Sequence, residues 1–365
     1  VIPLAEAQRR ILAGLGRLPE VAVRLDDALG LALAADVKAG HDVPPFANSA
    51  MDGYAVRAAD VAEAGAELVV IGTVAAGGIA DGSVQRGTAI KIMTGAPLPE
   101  GAEAVVRVED TEASSGGVRI LAAVAPGTSV RRAGGDVREG TILFTAGTRL
   151  TPVHLAMLAT IGVAEPLVGR RPRVAVASTG DELVSPTVAE LGPGQIRDSN
   201  RPMLKALLAE VGAEVIDFGI IGDEPDRLRS FVTEAAAGAD LVVTSGGVSM
   251  GDRDVVKETL AGGVEFWQVA IQPAKPLGFG SVGGTPFFGL PGNPVSVMVA
   301  FEQFVRPGLL WMMGSRRLLR PRVMGRTGVD LDTDPAKTVF VRVRTWMEDE
   351  LRWAEPSGGQ ASNVL

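Results

Sequence analysis

Between Arg171 and Gly314, short apolar runs alternate with helical patterns, and nothing else in the chain limits its fold as tightly. Val174–Ala177, Val215–Phe218, Leu241–Val243 and Phe287–Leu290 read as strands, with further strands near Phe266–Ile271 and Leu277–Phe279. A helix from Arg201 to Val211 carries Leu204, Leu207, Leu208 and Val211 on one face and stops at Gly212. A second runs from Pro225 through Ala236, and a long apolar one covers Val295–Val305 and is kinked or ended by Pro307. Such alternation predicts an open α/β sheet, whose ligands bind beyond the carboxyl ends of the strands. The polar turns Thr179–Glu182, Gly222–Glu224 and Thr244–Ser249 all fall at those ends, so one cleft collects them.

The third turn is the most telling. Leu241-Val242-Val243 breaks into Thr244-Ser245-Gly246-Gly247, passes Ser249 and Gly251, and reaches Asp252 and Asp254 before a helical pattern. Strand, glycine turn and helix together aim backbone N–H groups at an anion. The acids oppose a bare phosphate but suit one bridged by a divalent cation. The competing reading is a tight strand-to-helix turn capped by Asp252.

Before this region the chain is mixed. Leu4, Ala7, Ile11, Leu12 and Leu15 predict a first helix, and Asp26 or Asp27 a second short one through Leu33. Pro44–Val56 (PPFANSAMDGYAV) starts with a helix-forbidding Pro-Pro and sets Asn48, Ser49, Asp52 and Tyr54 around a glycine. Taken alone it is either a surface loop or a site. Short β segments follow at Leu68–Ile71, Ala89–Met93, Ala104–Val108, Val118–Ala122 and Ser129–Arg131, which predicts a small β domain. Its last segment ends in VRRAGGD, where the arginines either grip an oxyanion or decorate a solvated hairpin end. A helix then returns, with Thr151 as cap, Pro152 in its first turn and Gly162 as its stop. The last fifty or so residues alternate around Val339, Val341 and Val343, a small β appendage.

Composition removes several functions. A net charge of −8 argues against nucleic-acid binding, and an anionic ligand would need a local basic site. With no cysteine and only His41 and His154, a zinc site or a serine–histidine triad is not expected. No apolar run reaches the ~18 residues of a membrane span, and no signal-peptide pattern opens the chain. A cytoplasmic enzyme without membrane or nucleic-acid partners is the expectation. The opening at Val1 rather than Met suggests that the start has been trimmed.

Six stretches, PPFANSAMDGYAV, MTGAPLP, STGDEL, IRDSN, TSGGVSMGDRD and LPGNPVSV, stand in an order that resembles the MoeA family. Its members are molybdopterin molybdenumtransferases, related to the E domain of gephyrin. The resemblance implies an α/β plus β fold in an elongated, multidomain chain. Residues 1–44 and 138–170 would form a discontinuous helical domain, and 45–137 an inserted β domain. Residues 171–314 would form a molybdopterin-binding α/β domain shared with the molybdopterin adenylyltransferases, and 315–365 a shortened C-terminal β domain. It further implies a homodimer whose cleft joins one subunit's α/β domain to the other's β insertion. The reaction implied is insertion of molybdate into adenylylated molybdopterin, with release of AMP, Mg²⁺ as cofactor and an adenylyltransferase as upstream supplier.

Carried onto this chain, the resemblance gives Asp254, Glu182, Asp52 and Thr94 as catalytic residues. Mg²⁺ would be held by Asp254, Asp223 and Glu182. The substrate would be bound by Thr179, Gly180, Asp181, Asp198, Asp223, Ser245, Gly246, Gly247 and Ser249, with Asp136 from the partner subunit. Molybdate, a tetrahedral dianion, would be met by Gln272, Lys275, Pro276, Arg342 and Ser362. Two departures stand out. Relatives often carry lysine where this chain has Gln272, and glycine where it has Ala274. The first removes a positive charge, although an amide still donates; the second reshapes the loop if relatives use φ > 0 there. Two alternatives remain: a molybdopterin adenylyltransferase, disfavoured by the inserted β domain, and a dimeric scaffold of the gephyrin E type, disfavoured by the retained acids.

Overall fold

The computed structural model describes residues 1–247, 260 and 262–362. They form two compact units, one of Val1–Ala35, Ala146–Leu155 and Glu165–Leu365, the other of Asp36–Thr145 and Ala156–Ala164. The first opens with helix α1 (Leu4–Gly14), which buries Ala7 and Ile11. The helix expected through Leu33 is absent. Leu25–Asp27 makes one turn, and Gly30 then takes φ 79°. Leu31, Ala32 and Leu33 run on almost fully buried, Ala32 bridging to Arg149 and Leu33 to Val168. Burial of an extended apolar segment has overridden its helical pattern.

The second unit is a mixed six-stranded sheet. Its strands are β1 (Gly53–Val56), β2 (Glu67–Val74), β3 (Thr88–Ile92), β4 (Ala104–Arg107), β5 (Thr111–Ser114) and β6 (Gly117–Ile120), in the order β4-β1-β3-β2-β6-β5. Alternating side chains supply a core on each face. Val56, Leu68, Ala89 and Val106 build one; Ala55, Val74, Ile90 and Val105 build the other. The helix expected after Thr151 is α2 (Pro152–Thr160), followed by Gly162 at φ 78°.

Back in the first unit, β7 (Arg173–Thr179), α3 (Asn200–Val211), β8 (Glu214–Ile221), α4 (Pro225–Gly238) and β9 (Leu241–Ser245) alternate as predicted. They are followed by β10 (Val264–Gln268), β11 (Pro276–Val282) and β12 (Thr285–Leu290). The sheet order is β8-β7-β9-β12-β11-β10. The first four strands run parallel, and β11 and β10 pair antiparallel beyond them. Helix α3 buries Leu204, Leu208 and Val211, each contributing about 1.5–3 kcal/mol of apolar burial. It ends at Gly212, whose φ of 98° turns its N–H back to the carbonyls of Leu208 and Ala209.

Pro307 neither ends nor breaks the last long helix. Helix α5 (Pro294–Ala300) widens into a π-type turn at Phe301–Val305 and resumes as α6 (Arg306–Met312). Proline has no N–H to give to the carbonyl one turn earlier. The Gln8 side chain of α1 donates to that carbonyl, Gln303 O, at 3.2 Å. A small sheet closes the described chain, with β13 (Val343–Glu348) antiparallel to β14 (Leu351–Pro356). No helix among the described residues is long and apolar enough to cross a membrane.

Candidate active site

Parallel pairing puts four turns on one edge of the sheet. Thr179 is in register with Ile221, Ser178 with Ser245, and Ser245 with Leu290. The turns after these strands begin at Gly180, Gly222, Gly246 and Pro291, so the three turns expected at one edge are there with Pro291–Pro294 beside them. Hydrogen bonds join them sideways: Gly180 N–H to Ile221 O at 3.2 Å, Gly246 N–H to Leu290 O at 3.0 Å, and Asp223 N–H to Asp181 Oδ1 at 3.0 Å. Asp181, Glu182 and Asp223 lie in these turns, with the Glu182 carboxylate over Gly180. Ser249, Asp252 and Asp254 lie outside the described residues.

Beneath the turns runs a buried polar network. Ser178 Oγ donates to Asp198 Oδ1 at 2.9 Å and stands 3.0 Å from Ser245 Oγ. A hydroxyl has one proton, and that of Ser178 is committed to Asp198, so Ser245 is the donor of the second bond. Ser245 Oγ therefore offers only lone pairs to anything else it meets. Asp198 also accepts from the Arg201 backbone N–H at 3.1 Å and from Arg201 Nε at 3.0 Å. Arg201 continues to Asp217, which Lys205 also meets at 2.6 Å. Burial alone would raise the Asp217 pKa, but Lys205, the Gly219 N–H and Arg201 together hold it low. Asp198 and Thr179 thus form the floor of the site, their side chains turned to neighbouring strands.

A second cluster lies within the β unit. Residues Val130–Arg131 pair with Asn48–Ser49, and Asn48 bridges to Pro97. Gly95 N–H donates to Ser49 O at 2.8 Å, so three stretches far apart in sequence meet here. Asp52 Oδ1 accepts both the backbone N–H of Thr94, at 2.7 Å, and its hydroxyl, at 2.8 Å. Those two bonds, the N–H foremost, hold the Asp52 carboxyl below its usual range. Asp136 is salt-bridged to Arg131, so that arginine is partnered by an acid of its own loop.

The loop expected to meet molybdate follows Ile271–Gln272, which pairs in parallel with Thr338–Val339. Gln272–Pro273 is a cis peptide. Ala274 takes φ 75° and is 3% exposed, so an alanine occupies the left-handed region where glycine is the easy choice. Lys275 is exposed. Arg342, two residues beyond Phe340, whose N–H donates to Gln272 O at 2.8 Å, sends its guanidinium to the carbonyls of Gly359 and Ala361. Ser362 Oγ accepts from Asn293 Nδ2 at 2.8 Å.

Among the described residues, three buried side-chain atoms lack a hydrogen-bond partner: Asn48 Oδ1, Asn200 Oδ1 and Thr244 Oγ1. Native interiors satisfy such groups, and an unsatisfied one calls for a ligand or a water. All three fall on the stretches singled out from the sequence. An apolar cavity of about 550 Å³, lined by Ile11, Leu12, Phe304, Pro307, Leu318 and Leu319, shares no residue with these turns.

Residues 2–162 match the family profile described as the MoeA N-terminal region (domain I and II), and residues 175–311 that of a probable molybdopterin binding domain. Molybdopterin molybdenumtransferase 2 of Mycobacterium tuberculosis is 42% identical over 349 residues, 92% of this chain and 86% of that protein. The chain belongs to the MoeA family. The molybdopterin molybdenumtransferase of Haemophilus influenzae is 40% identical over 82% of this chain and 74% of its own length. The crystal structure of the molybdopterin biosynthesis moeA protein from Pyrococcus horikoshii OT3 matches with a TM-score of 0.84 at 29% identity, covering 100% of this chain and 92% of that one.

Within the MoeA frame, two asparagines join the candidates. Asn200 Nδ2 donates to Gly292 O at 2.7 Å, leaving its own oxygen unpartnered, and Asn293 holds Ser362. Both belong to motif stretches, IRDSN and LPGNP, but nothing in their residue type sets them apart from turn-forming asparagines. The Asp52–Thr94 contact gives a direct test. Thr94→Val keeps the backbone donor and removes the hydroxyl, so the Asp52 pKa should rise part-way to the ordinary carboxylate value of about 3.9. Because the folded pKa is depressed, the ionised Asp52 stabilises the fold above that value and loses this effect as pH falls through the folded pKa. The variant should therefore be less stable than the parent at neutral pH and match it in strong acid. Carboxyl NMR titration measures the shift; an unmoved Asp52 would show the hydroxyl to be irrelevant.

Proposed function

We propose that this chain is a molybdopterin molybdenumtransferase of molybdenum cofactor biosynthesis, inserting molybdate into adenylylated molybdopterin with release of AMP. The observation that carries the reading is the coincidence of the unpartnered buried atoms with the family's motif stretches, in a chain aligned along 92% of its length with a molybdenumtransferase. The strand-end turns suit the substrate's phosphates, because Gly246 and Gly247 let the backbone approach closely. Ser245, an acceptor by its proton order, suits an N–H edge of the pterin better than a phosphate oxygen. Gln272, Lys275 and Pro276 would face molybdate, with Ser362 as a hydroxyl donor.

Mg²⁺ fits the acids present. Glu182 and Asp223, joined by Asp254, would hold it, with Asp181 beside them. Among the described residues no three acidic or imidazole groups gather into a complete metal set. That suits an ion which keeps several waters and takes the rest of its shell from one or two carboxylates and substrate phosphates. Bound there, it would neutralise charge on the pyrophosphate. Asp52, Thr94 and Asp136 would act from the second copy of a homodimer. An adenylyltransferase would supply the substrate, and we assign the enzyme to the cytoplasm.

The test is AMP release from adenylylated molybdopterin with Mg²⁺, with and without molybdate, beside a reaction of free molybdopterin with ATP. Molybdate-dependent AMP release in the first reaction alone is expected. Pyrophosphate release in the second would identify an adenylyltransferase, and silence in both a scaffold.

A further inference from the structure

We propose that Arg342 is a positioning residue, which clamps the segment Gly359–Ser362 and so delivers the Ser362 hydroxyl to the site, instead of meeting the oxyanion itself. The proposal deepens the reading of the site as one that takes molybdate, and rests on it. Arg342 is engaged by this segment from three directions. Its guanidinium donates to Ala361 O at 3.2 Å and to Gly359 O. Its backbone N–H donates to Gln360 Oε1 at 2.9 Å, and its carbonyl accepts Gln360 Nε2 at 3.1 Å. That same carbonyl accepts the Ser357 N–H at 2.9 Å. A planar fork with fixed N–H directions matches two carbonyls two residues apart, which a lysine ammonium does not reproduce.

The far end of the segment is tied to the sheet. Ser362 O accepts the Val295 N–H at 3.1 Å, and Ser362 Oγ accepts Asn293 Nδ2 at 2.8 Å. Because the amide is the donor in that bond, Ser362 keeps its own hydroxyl proton to give. That is the polarity a tetrahedral oxyanion requires, since it accepts and never donates. Asn293 in turn sits on the turn after β12, whose Leu290 O receives the Gly246 N–H, and neighbouring Gly292 is held by Asn200. The clamp at Arg342 is thus linked through this turn to the floor of the strand-end site. It also offsets the charge lost at Gln272 in a particular way: anion recognition moves from a cation to a positioned neutral donor.

The experiment pairs Arg342→Lys with Arg342→Ala, Gln360→Ala and Ser362→Ala in the full chain. Calorimetry measures molybdate binding, and hydrogen exchange reads the Val295 amide, whose acceptor is Ser362 O. The clamp predicts that Arg342→Lys weakens molybdate binding as much as Arg342→Ala does, by roughly tenfold, the worth of a charge-assisted hydrogen bond. Val295 exchange should accelerate in both, and Gln360→Ala should do the same to a lesser degree. Ser362→Ala should weaken molybdate without releasing Val295. Parent-like molybdate binding by Arg342→Lys, with loss in Arg342→Ala, would overturn the proposal in favour of direct charge contact. Unchanged Val295 protection in Arg342→Ala would overturn it outright. Faster Val295 exchange in a chain whose parent binds no molybdate would overturn the functional reading and leave the clamp standing.

Discussion

Replacing Gly246 with alanine will lower turnover by more than about 100-fold while leaving most of the fold in place, because the cost falls on one turn rather than on a core. Gly246 has φ 92°, a region in which an L side chain costs about 1–2 kcal/mol. A Cβ there would also lie 2.9 Å from Thr179 Oγ1 and closer still to Thr179 O. That carbonyl has little room to retreat, since β7 is paired on both sides, with β8 and with β9. The turn itself must move, and with it the backbone N–H groups offered to the substrate. Gly194, at φ 78° with nothing near a Cβ, is the control. Gly194→Ala bears the conformational cost alone and should keep turnover within about twofold. AMP-release kinetics and a thermal melt on both variants decide the matter. Parent-like turnover in Gly246→Ala would remove this turn from the active site.

The same residues show what the sequence made legible and what it did not. The α/β core could be read because its strands are buried on both faces and its helices on one, so apolar periodicity alone marks them. Convergence of the turns followed from that, since parallel strands share one carboxyl edge. Residues Leu31–Leu33 misled because a buried extended run and a helix face look alike over three residues. The continuation past Pro307 was hidden because the group that satisfies Gln303 O, the Gln8 side chain, comes from 295 positions away. Arg342 was legible as a charge beside the site. Its engagement by Gly359 and Ala361 was not, because backbone carbonyls leave no trace in residue type. Proton order at Ser178 and Ser245 is likewise a property of the network, set by a carboxylate twenty positions along the chain.

Gly53→Ala should destabilise the protein more than Gly246→Ala does, and the reason lies at the heart of the β unit. Gly53 begins β1, which is hydrogen-bonded to β3 on one side and β4 on the other, with Gly53 opposite both Ile92 and Arg107. A Cβ on Gly53 would come within 2.9 Å of the Val106 carbonyl carbon and 3.1 Å of Arg107 Cα, and nearer still to the Val106 carbonyl oxygen. These are backbone atoms, so no rotamer change relieves the overlap. Either β4 shifts, exposing Val105 and Val106, which are both fully buried, or β1 leaves its register. Destabilisation of about 3 kcal/mol or more is expected, in the range of overpacked cores. The damage should reach the chemistry as well, because the preceding residue is Asp52, whose carbonyl accepts the Val108 N–H at 3.0 Å and whose carboxylate holds Thr94. Gly72, in β2 of the same sheet, has open space where its Cβ would be, and Gly72→Ala should change stability by no more than about 1 kcal/mol. Calorimetric unfolding of the two variants, with hydrogen exchange over residues 36–145, separates the outcomes. Equal melting points would mean that the strand pair absorbs a methyl group, and that Gly53 is not what holds Asp52 in place.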